Sequence, residues 1–253
     1  MTVTEAIVGA SVAQNWLDRW DAQQERFLPD REERFRVVAD VVAWANQGVA
    51  QPRVVDLGCG PGSLTTRLAA LLPAARIVGV DADPLLLSLA AESGVTAVRS
   101  DLADPRWPAD VPLEGPWDAA VSSTALHWLE VADLAVLYRT LAERLRPGGV
   151  FVDADNREIA PDALRGLGAF VREARAARAG VTDNEDWTSW WDAVLADPAL
   201  SAQADARSEV SICHDGNTGL SVDDHLRMLR EAGFSAASTA WQFGDDYVVV
   251  AVR

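Results

Sequence analysis

Short apolar runs alternate with amphipathic stretches along most of this chain. RVVDL (53–57), RIVGVD (76–81), TAVRSD (96–101), WDAAVSS (117–123) and VFVDADN (150–156) each read as a strand. Between them, Leu64, Leu68 and Leu71 mark a helix that ends before Pro73, and Asp83-Pro84 opens another through Glu92. Val131, Leu134, Leu137, Leu141 and Leu145 fall on one face of a third helix, which the LRPGG run (145–149) stops. Upstream, residues 14–28 predict a helix carrying Trp16, Leu17, Trp20 and Phe27 and closed by Pro29. Asp30 is placed as the N-cap of the next helix, which runs to about Gly48 with Phe35, Val38, Val42 and Ala45 at helical spacing.

Strands and helices in this rhythm predict an α/β fold with a parallel sheet covered on both faces. The tail breaks the rhythm: after a helix over 222–232, STAWQF and YVVVAVR are separated only by GDD. So short a loop joins only antiparallel strands, which places one antiparallel strand near an edge. Residues 157–220 are too long for a simple crossover and end in a tryptophan-rich DWTSWW (186–191), so they read as an inserted helical cap. The expected organisation is therefore N-terminal helices or lid (1–48), a nucleotide-binding core (49–156), the cap (157–220), and a C-terminal helix with strands that complete the core (221–253).

Charge narrows the partners. The 253 residues carry 38 acids against 22 bases, a formal net charge of −16, and every base is arginine. That field repels nucleic acid, and the one arginine-dense run, REERFR (31–36), is interleaved with acids. No basic segment leads into a long apolar run at the N-terminus, no membrane span is expected, and the two cysteines are too few for a disulfide framework; a cytoplasmic setting is expected.

The chemistry begins at VVDLGCGPGS (54–63). Its glycines, Gly58, Gly60 and Gly62, recur at every second position, unlike the G-x-G-x-x-G of dinucleotide sites, and Asp56 precedes them. A carboxylate there would oppose a pyrophosphate and suit an ammonium group. Asp81 ends the second strand, where it can accept from ribose hydroxyls, and Asp101 ends the third, where an adenine amino group can donate. Ammonium, ribose and adenine without phosphates describe S-adenosylmethionine, with S-adenosylhomocysteine as product.

On VVDLGCGPGS, VGVDADP (78–84), SDL (100–102), WDAAVSSTALHWL (117–129), LRPGGVF (145–151) and the EAGF…YVVVAVR tail (231–253), the chain resembles the class I S-adenosylmethionine-dependent methyltransferases. The resemblance implies a Rossmann-like, doubly wound seven-stranded sheet of order 3-2-1-4-5-7-6 with strand 7 antiparallel. It also implies that Gly58 and Gly60 let the backbone approach the methionine portion. Asp81 would hold the ribose, Asp101 with Leu102 the adenine, and Ala82 would pack near the ring. Cys59 and Ser122 complete the expected cofactor contacts. TALHWL and DADN are similar to the trans-aconitate methyltransferase group, a small-molecule branch.

The acceptor must then sit beside the ends of the fourth and fifth strands. His127 is the candidate general base, since imidazole titrates near neutrality, with structural packing beside Trp128 as its rival role. Trp20, Trp128, Asn156, Trp187 and Trp191 are the candidate acceptor contacts. Trp187, Trp190 and Trp191 share one helical face, which suits either core packing or an aromatic wall. Arg31 and Arg34 are offered as clamps for a carboxylate, against salt bridges within REERFR. Asp155-Asn156 resembles the metal pair of catechol-type O-methyltransferases, but serine replaces the acid these need on the fourth strand, and no metal is expected. Cys213-His214 lacks a second ligand pair at zinc spacing. The expected function is methyl transfer to a small organic acceptor at oxygen, nitrogen or carbon, of the secondary-metabolism kind. A monomer and a homodimer are equally compatible with the sequence. The alternatives are an NAD(P)-dependent Rossmann oxidoreductase and a non-catalytic adenosyl-binding regulator.

Overall fold

The computed structural model describes residues 8–159, 162–210 and 219–253. Two helices, α1 (Ala10–Phe27) and α2 (Arg31–Ala45), precede β1 (Arg53–Leu57), α3 (Ser63–Leu71), β2 (Arg76–Asp81), α4 (Pro84–Glu92) and β3 (Ala97–Arg99). Then come β4 (Trp117–Ser123), α5 (Val131–Arg144), β5 (Leu145–Asn156), α6 (Leu167–Ala179), α7 (Trp187–Leu195) and α8 (Ser201–Ser208). The chain closes with α9 (Val222–Glu231), β6 (Ala236–Phe243) and β7 (Asp246–Val252). The seven strands form one sheet of order β3-β2-β1-β4-β5-β7-β6. The first five are mutually parallel, and β7 runs antiparallel to both of its neighbours, as the short tail loop requires.

Strand alternation builds a core on each face. Val54, Ala119, Val121, Val152 and Val248 pack against Phe35, Val38 and Val42 of α2 and Leu64 and Leu68 of α3. Val55, Ala120, Phe151 and Val249 face the opposite way, onto Leu134, Leu137 and Leu141 of α5 and Leu229 of α9. A third cluster stands apart from the sheet: Trp16 and Trp20 of α1 meet Leu85, Leu86 and Leu89 of α4 and Trp190 and Val194 of α7.

Two local expectations change. LRPGG does not separate α5 from the fifth strand. Leu145 already pairs with Trp117, the pairing resumes at Ala119 with Val150, and the intervening residues bulge out. Arg146 in that bulge donates to Asp118, a buried carboxylate that also accepts from the Arg53 backbone and side chain, so the irregularity is pinned by charge. Asp30 occupies the N-cap position of α2 without capping it. Its φ of 59° is left-handed, and its carboxylate turns away to Arg175 of α6. Asp83, in contrast, caps α4 as expected, accepting from the Leu85 and Leu86 amides.

The glycine loop is seated on β2 through Gly79: a Cβ built there would lie 2.6 Å from the Cys59 sulfur. Gly79→Ala is expected to destabilise the fold by about 1–3 kcal/mol through overpacking, read from urea unfolding midpoints. Adding Cys59→Ala should recover part of that loss, because it removes the clashing sulfur. Additive effects of the two changes would contradict this contact.

Candidate active site

One cavity of about 670 Å³ opens at the carboxyl ends of β1, β2, β3 and β4. This is where crossovers on either side of β1 diverge and where an open α/β sheet binds its ligands. Its floor holds the strand-end acids expected from the sequence: Asp56, Asp81 and Asp101, with Gly58, Cys59, Gly60, Ala82 and Leu102 beside them.

Asp56 is almost wholly buried. One of its oxygens accepts from the Thr65 hydroxyl at 2.5 Å, and the other has no partner among the described residues. Burial, reinforced by the neighbouring Asp81 charge, pushes its carboxyl up to about 7. Asp81 accepts from the Gly60 amide at 2.7 Å and the Asp83 amide at 2.9 Å, which ties the glycine loop to the second strand end. Burial raises it to about 6 despite those bonds. The orphaned Asp56 oxygen fits an ammonium group, and Asp81 keeps lone pairs for hydroxyl donors.

The two glycines do different work. Gly60 is left-handed, lines the cavity, and has only Trp20 and Leu86 at 3.8 and 3.9 Å from a Cβ position, so it leaves room for a ligand. At Gly58 a Cβ would lie 2.3 Å from the Ala125 Cβ. Gly58 is thus required by the close approach of the segment after β4, a packing constraint beside the role the resemblance implies. That segment also contains Thr124, a cavity-lining β-branched residue with φ of 52°, a conformation that costs energy and marks functional turns.

Helices α1, α2, α7 and α8 form the roof. Trp20, Gln24, Arg31, Phe35, Trp187 and Trp191 face inward. The tryptophan stripe divides between its two readings: Trp190 is fully buried against Trp16 and Trp20, whereas Trp187 and Trp191 line the cavity. Trp128, from the turn after β4, stacks towards Trp187 at 6.5 Å between centroids. The REERFR arginines divide likewise. Arg36 makes the local pair with Glu33. Arg34 is buried outside the cavity wall, bound to Asp246 and to the Ser123 hydroxyl. Arg31 lines the cavity with only a 3.2 Å bond to Asp21 and an unpartnered Nε, and burial lowers its guanidinium to about 10.

Three further candidates lie outside the cavity wall, as Arg34 does. Ser122 is fully buried and donates to the Leu57 carbonyl, so strand parity turns it into the sheet and leaves Ser123 at the cavity. Asn156 faces a small depression beside Phe27, Arg172 and Asp246. His127 donates or accepts through Nδ1 at Asp155, 2.8 Å away, and packs on Trp128. Burial pulls its imidazole down, but the Asp155 carboxylate more than offsets this and holds it above its ordinary value. Asp155 also pairs with Arg157, so it is occupied by charge rather than poised for a metal. Among the described residues no group of three or more His, Cys, Asp or Glu side chains could hold a metal ion, and Cys213-His214 lie outside those residues. Gln24 and Thr124, which the sequence placed in the N-terminal lid and beside the acceptor, also line the cavity, whereas Asp83 and Arg207 are cavity residues that the sequence did not bring to the site.

Residues 54–149 match the family model described as "Methyltransferase domain". Among curated proteins, the chain is similar to the trans-aconitate 2-methyltransferase of Mycobacterium tuberculosis, 43% identical over 97 residues, covering 38% of this chain and 34% of that protein. The enzyme of the same name from Methylobacterium nodulans is 39% identical over 132 residues, 51% of this chain and 47% of that protein. These matches span about a third to a half of the relatives' length. The solved DhpI–SAH complex shares the fold, with a TM-score of 0.55 at 14% identity over 96% of this chain and 93% of that one.

Asp56 and Asp81 bind their protons more tightly in the folded chain than at the ordinary value of 3.8. Folding therefore takes up protons between about pH 4 and pH 7, and their contribution to stability is lost as pH rises through that window. Asp56→Asn is expected to match wild type in urea midpoint near about pH 4 and to exceed it increasingly towards about pH 8. A difference that does not change with pH would show that Asp56 ionises normally.

Proposed function

We propose that residues 54–149, which match a methyltransferase domain, form a class I, S-adenosylmethionine-dependent core, and that the chain transfers a methyl group to a small organic acceptor bound under its helical roof. The observation that carries this reading is the set of three strand-end acids, Asp56, Asp81 and Asp101, brought to one cavity beside an open Gly60. S-adenosylmethionine, when bound, supplies an electrophilic methyl group on an already activated leaving group. Asp56 takes the ammonium, Asp81 the ribose hydroxyls, and Asp101 with Leu102 the adenine edge.

For the protein the task is alignment and exclusion of water, which can supply roughly 7–11 kcal/mol of a barrier. Trp20, Trp128, Trp187 and Trp191 perform both, closing the cavity over the end of β4. In this reading residues 1–48 and 157–220 act as lid and cap over the core. His127, outside the cavity wall and bound to Asp155, acts by holding Trp128 in place, and alignment carries the reaction without a strong base. A small-molecule acceptor also fits the net charge of −16, which opposes nucleic acid. The curated relatives are named for trans-aconitate, so that triacid belongs in the acceptor panel as its anionic member. No helix among the described residues is long and apolar enough to cross a membrane; it is the scarcity of cysteine that favours a cytoplasmic setting.

Calorimetry should show S-adenosylhomocysteine binding with no NAD(P)H binding, and Asp81→Ala should weaken it at least tenfold. The reverse ligand preference would establish the oxidoreductase alternative. Label transfer from methyl-labelled S-adenosylmethionine to a panel of small acceptors separates an enzyme from a binding-only regulator. His127→Ala should leave the pH profile of turnover unchanged; loss of its acidic limb would make the imidazole a base.

A further inference from the structure

The roof of the cavity carries information about the acceptor's charge. One face of α7 presents Trp187, Trp191 and Asp192 to the cavity. Trp187 is the centre of an indole wall: Trp20 lies 5.4 Å away, Trp191 5.8 Å and Trp128 6.5 Å between centroids. Indole faces attract cations more strongly than any other side-chain ring. This cluster already does so with the chain's own arginines, Arg207 lying 4.2 Å over Trp191 and Arg19 4.0 Å over Trp16. Among the described residues no arginine lies over Trp20 or Trp187, which both line the cavity, Trp20 within 3.8 Å of a Cβ built at Gly60.

The ionic lining has the same bias. Seven carboxylates and only two arginines, Arg31 and Arg207, line the cavity. Arg207 is neutralised by Asp83 at 2.7 Å. Arg31 is partly neutralised by Asp21 and can balance one further carboxylate, such as that of an amino-acid-bearing cofactor. Asp192 on α7 and Glu130 at the opening of α5 make no salt bridge among the described residues. A low-dielectric cleft lined by one sign of charge focuses that potential on whatever enters it. A polyanionic acceptor would meet uncompensated carboxylates and find no second free guanidinium.

Resting on the methyltransferase reading for its location, we propose that the acceptor subsite recognises an organic cation. The ligand is an amine-bearing molecule with an apolar body, its ammonium held between the Trp20–Trp187 faces and the Asp192 carboxylate. The ammonium is a recognition handle; the methylated atom is elsewhere on the acceptor.

A charge-inverted probe pair tests this. Calorimetry on the full chain saturated with S-adenosylhomocysteine compares 2-phenylethylamine with 3-phenylpropionate, which share a ring and spacer. The amine should bind at least tenfold more tightly. Trp187→Leu and Asp192→Asn should each reduce amine affinity by roughly three- to tenfold while leaving the acid unchanged. Retained S-adenosylhomocysteine affinity in both variants verifies that they fold. Equal or tighter binding of the acid, binding of neither probe, or a ratio insensitive to both variants would overturn the proposal. Wild-type protein that fails to bind S-adenosylhomocysteine would end the methyltransferase reading instead. The amine–acid comparison, run on that unliganded protein, would still decide the charge preference.

Discussion

Asp56 brings a carboxyl group to the end of a central strand with almost no water around it and one oxygen left without a partner. Such a group is expensive to ionise, and much of the architecture around it controls that expense. Thr65, in the first turn of α3, supplies the hydroxyl that donates to it. Asp81 stands near enough to raise the cost further, and is itself restrained by the amides of Gly60 and Asp83. A carboxyl held this dry gains most when a cation enters, because the ligand's charge favours the ionised form that burial alone penalises. The sheet makes the arrangement possible: parallel strands release Asp56 and Asp81 at the same edge, one beside the other.

The roof is held by different forces from the floor. Beneath the cavity, strand alternation sends valines and leucines into two cores that water does not reach. Above it, α1, α4 and α7 share a smaller cluster of tryptophans and leucines. Ion pairs at its margin, Arg19 with Glu185 and Arg207 with Asp83, are each part-exposed and so contribute little to stability. Their value lies in register. Arg207 links α8 to the N-cap of α4, directly after the Asp81 turn, while also covering Trp191. Movement of the roof therefore bears on the same loop that carries Asp81.

The sheet was legible because its signal is local and repetitive: apolar runs closing in an acid or a glycine, at crossover spacing. Asp56, Asp81 and Asp101 were legible for the same reason, since a strand's carboxyl end is fixed once the strand is. Ser122 shows the limit of that logic. It lies one residue from the correct position, but alternation sends its hydroxyl to Leu57 while Ser123 reaches the cavity wall. Gly58 shows another, because its neighbour Ala125 comes from a segment 67 positions away and no spacing rule foretells their contact. Arg31, Gln24 and Arg207 enter through the rotation of whole helices about their axes, which tertiary packing sets. Of these only Arg31 had been offered as a ligand group, on its charge alone.

That rotation has an identifiable cause in α2. Arg34 is buried and pinned by two partners, Asp246 of β7 on one side and Ser123 of β4 on the other, with its Nε left unpaired among the described residues. A buried guanidinium in such a network tolerates little displacement, since losing a partner strands its charge. Arg31 lies three residues earlier, on nearly the same helical face, and is carried with it to the cavity. The two arginines thus divide one task. Arg34 fixes the angle of the helix against the sheet, and Arg31, left with a long bond to a shared Asp21, remains available to an anion. Compensation of Arg34 and undercompensation of Arg31 follow from one helix orientation, in which a structural ion pair sets the electrostatics of a binding site.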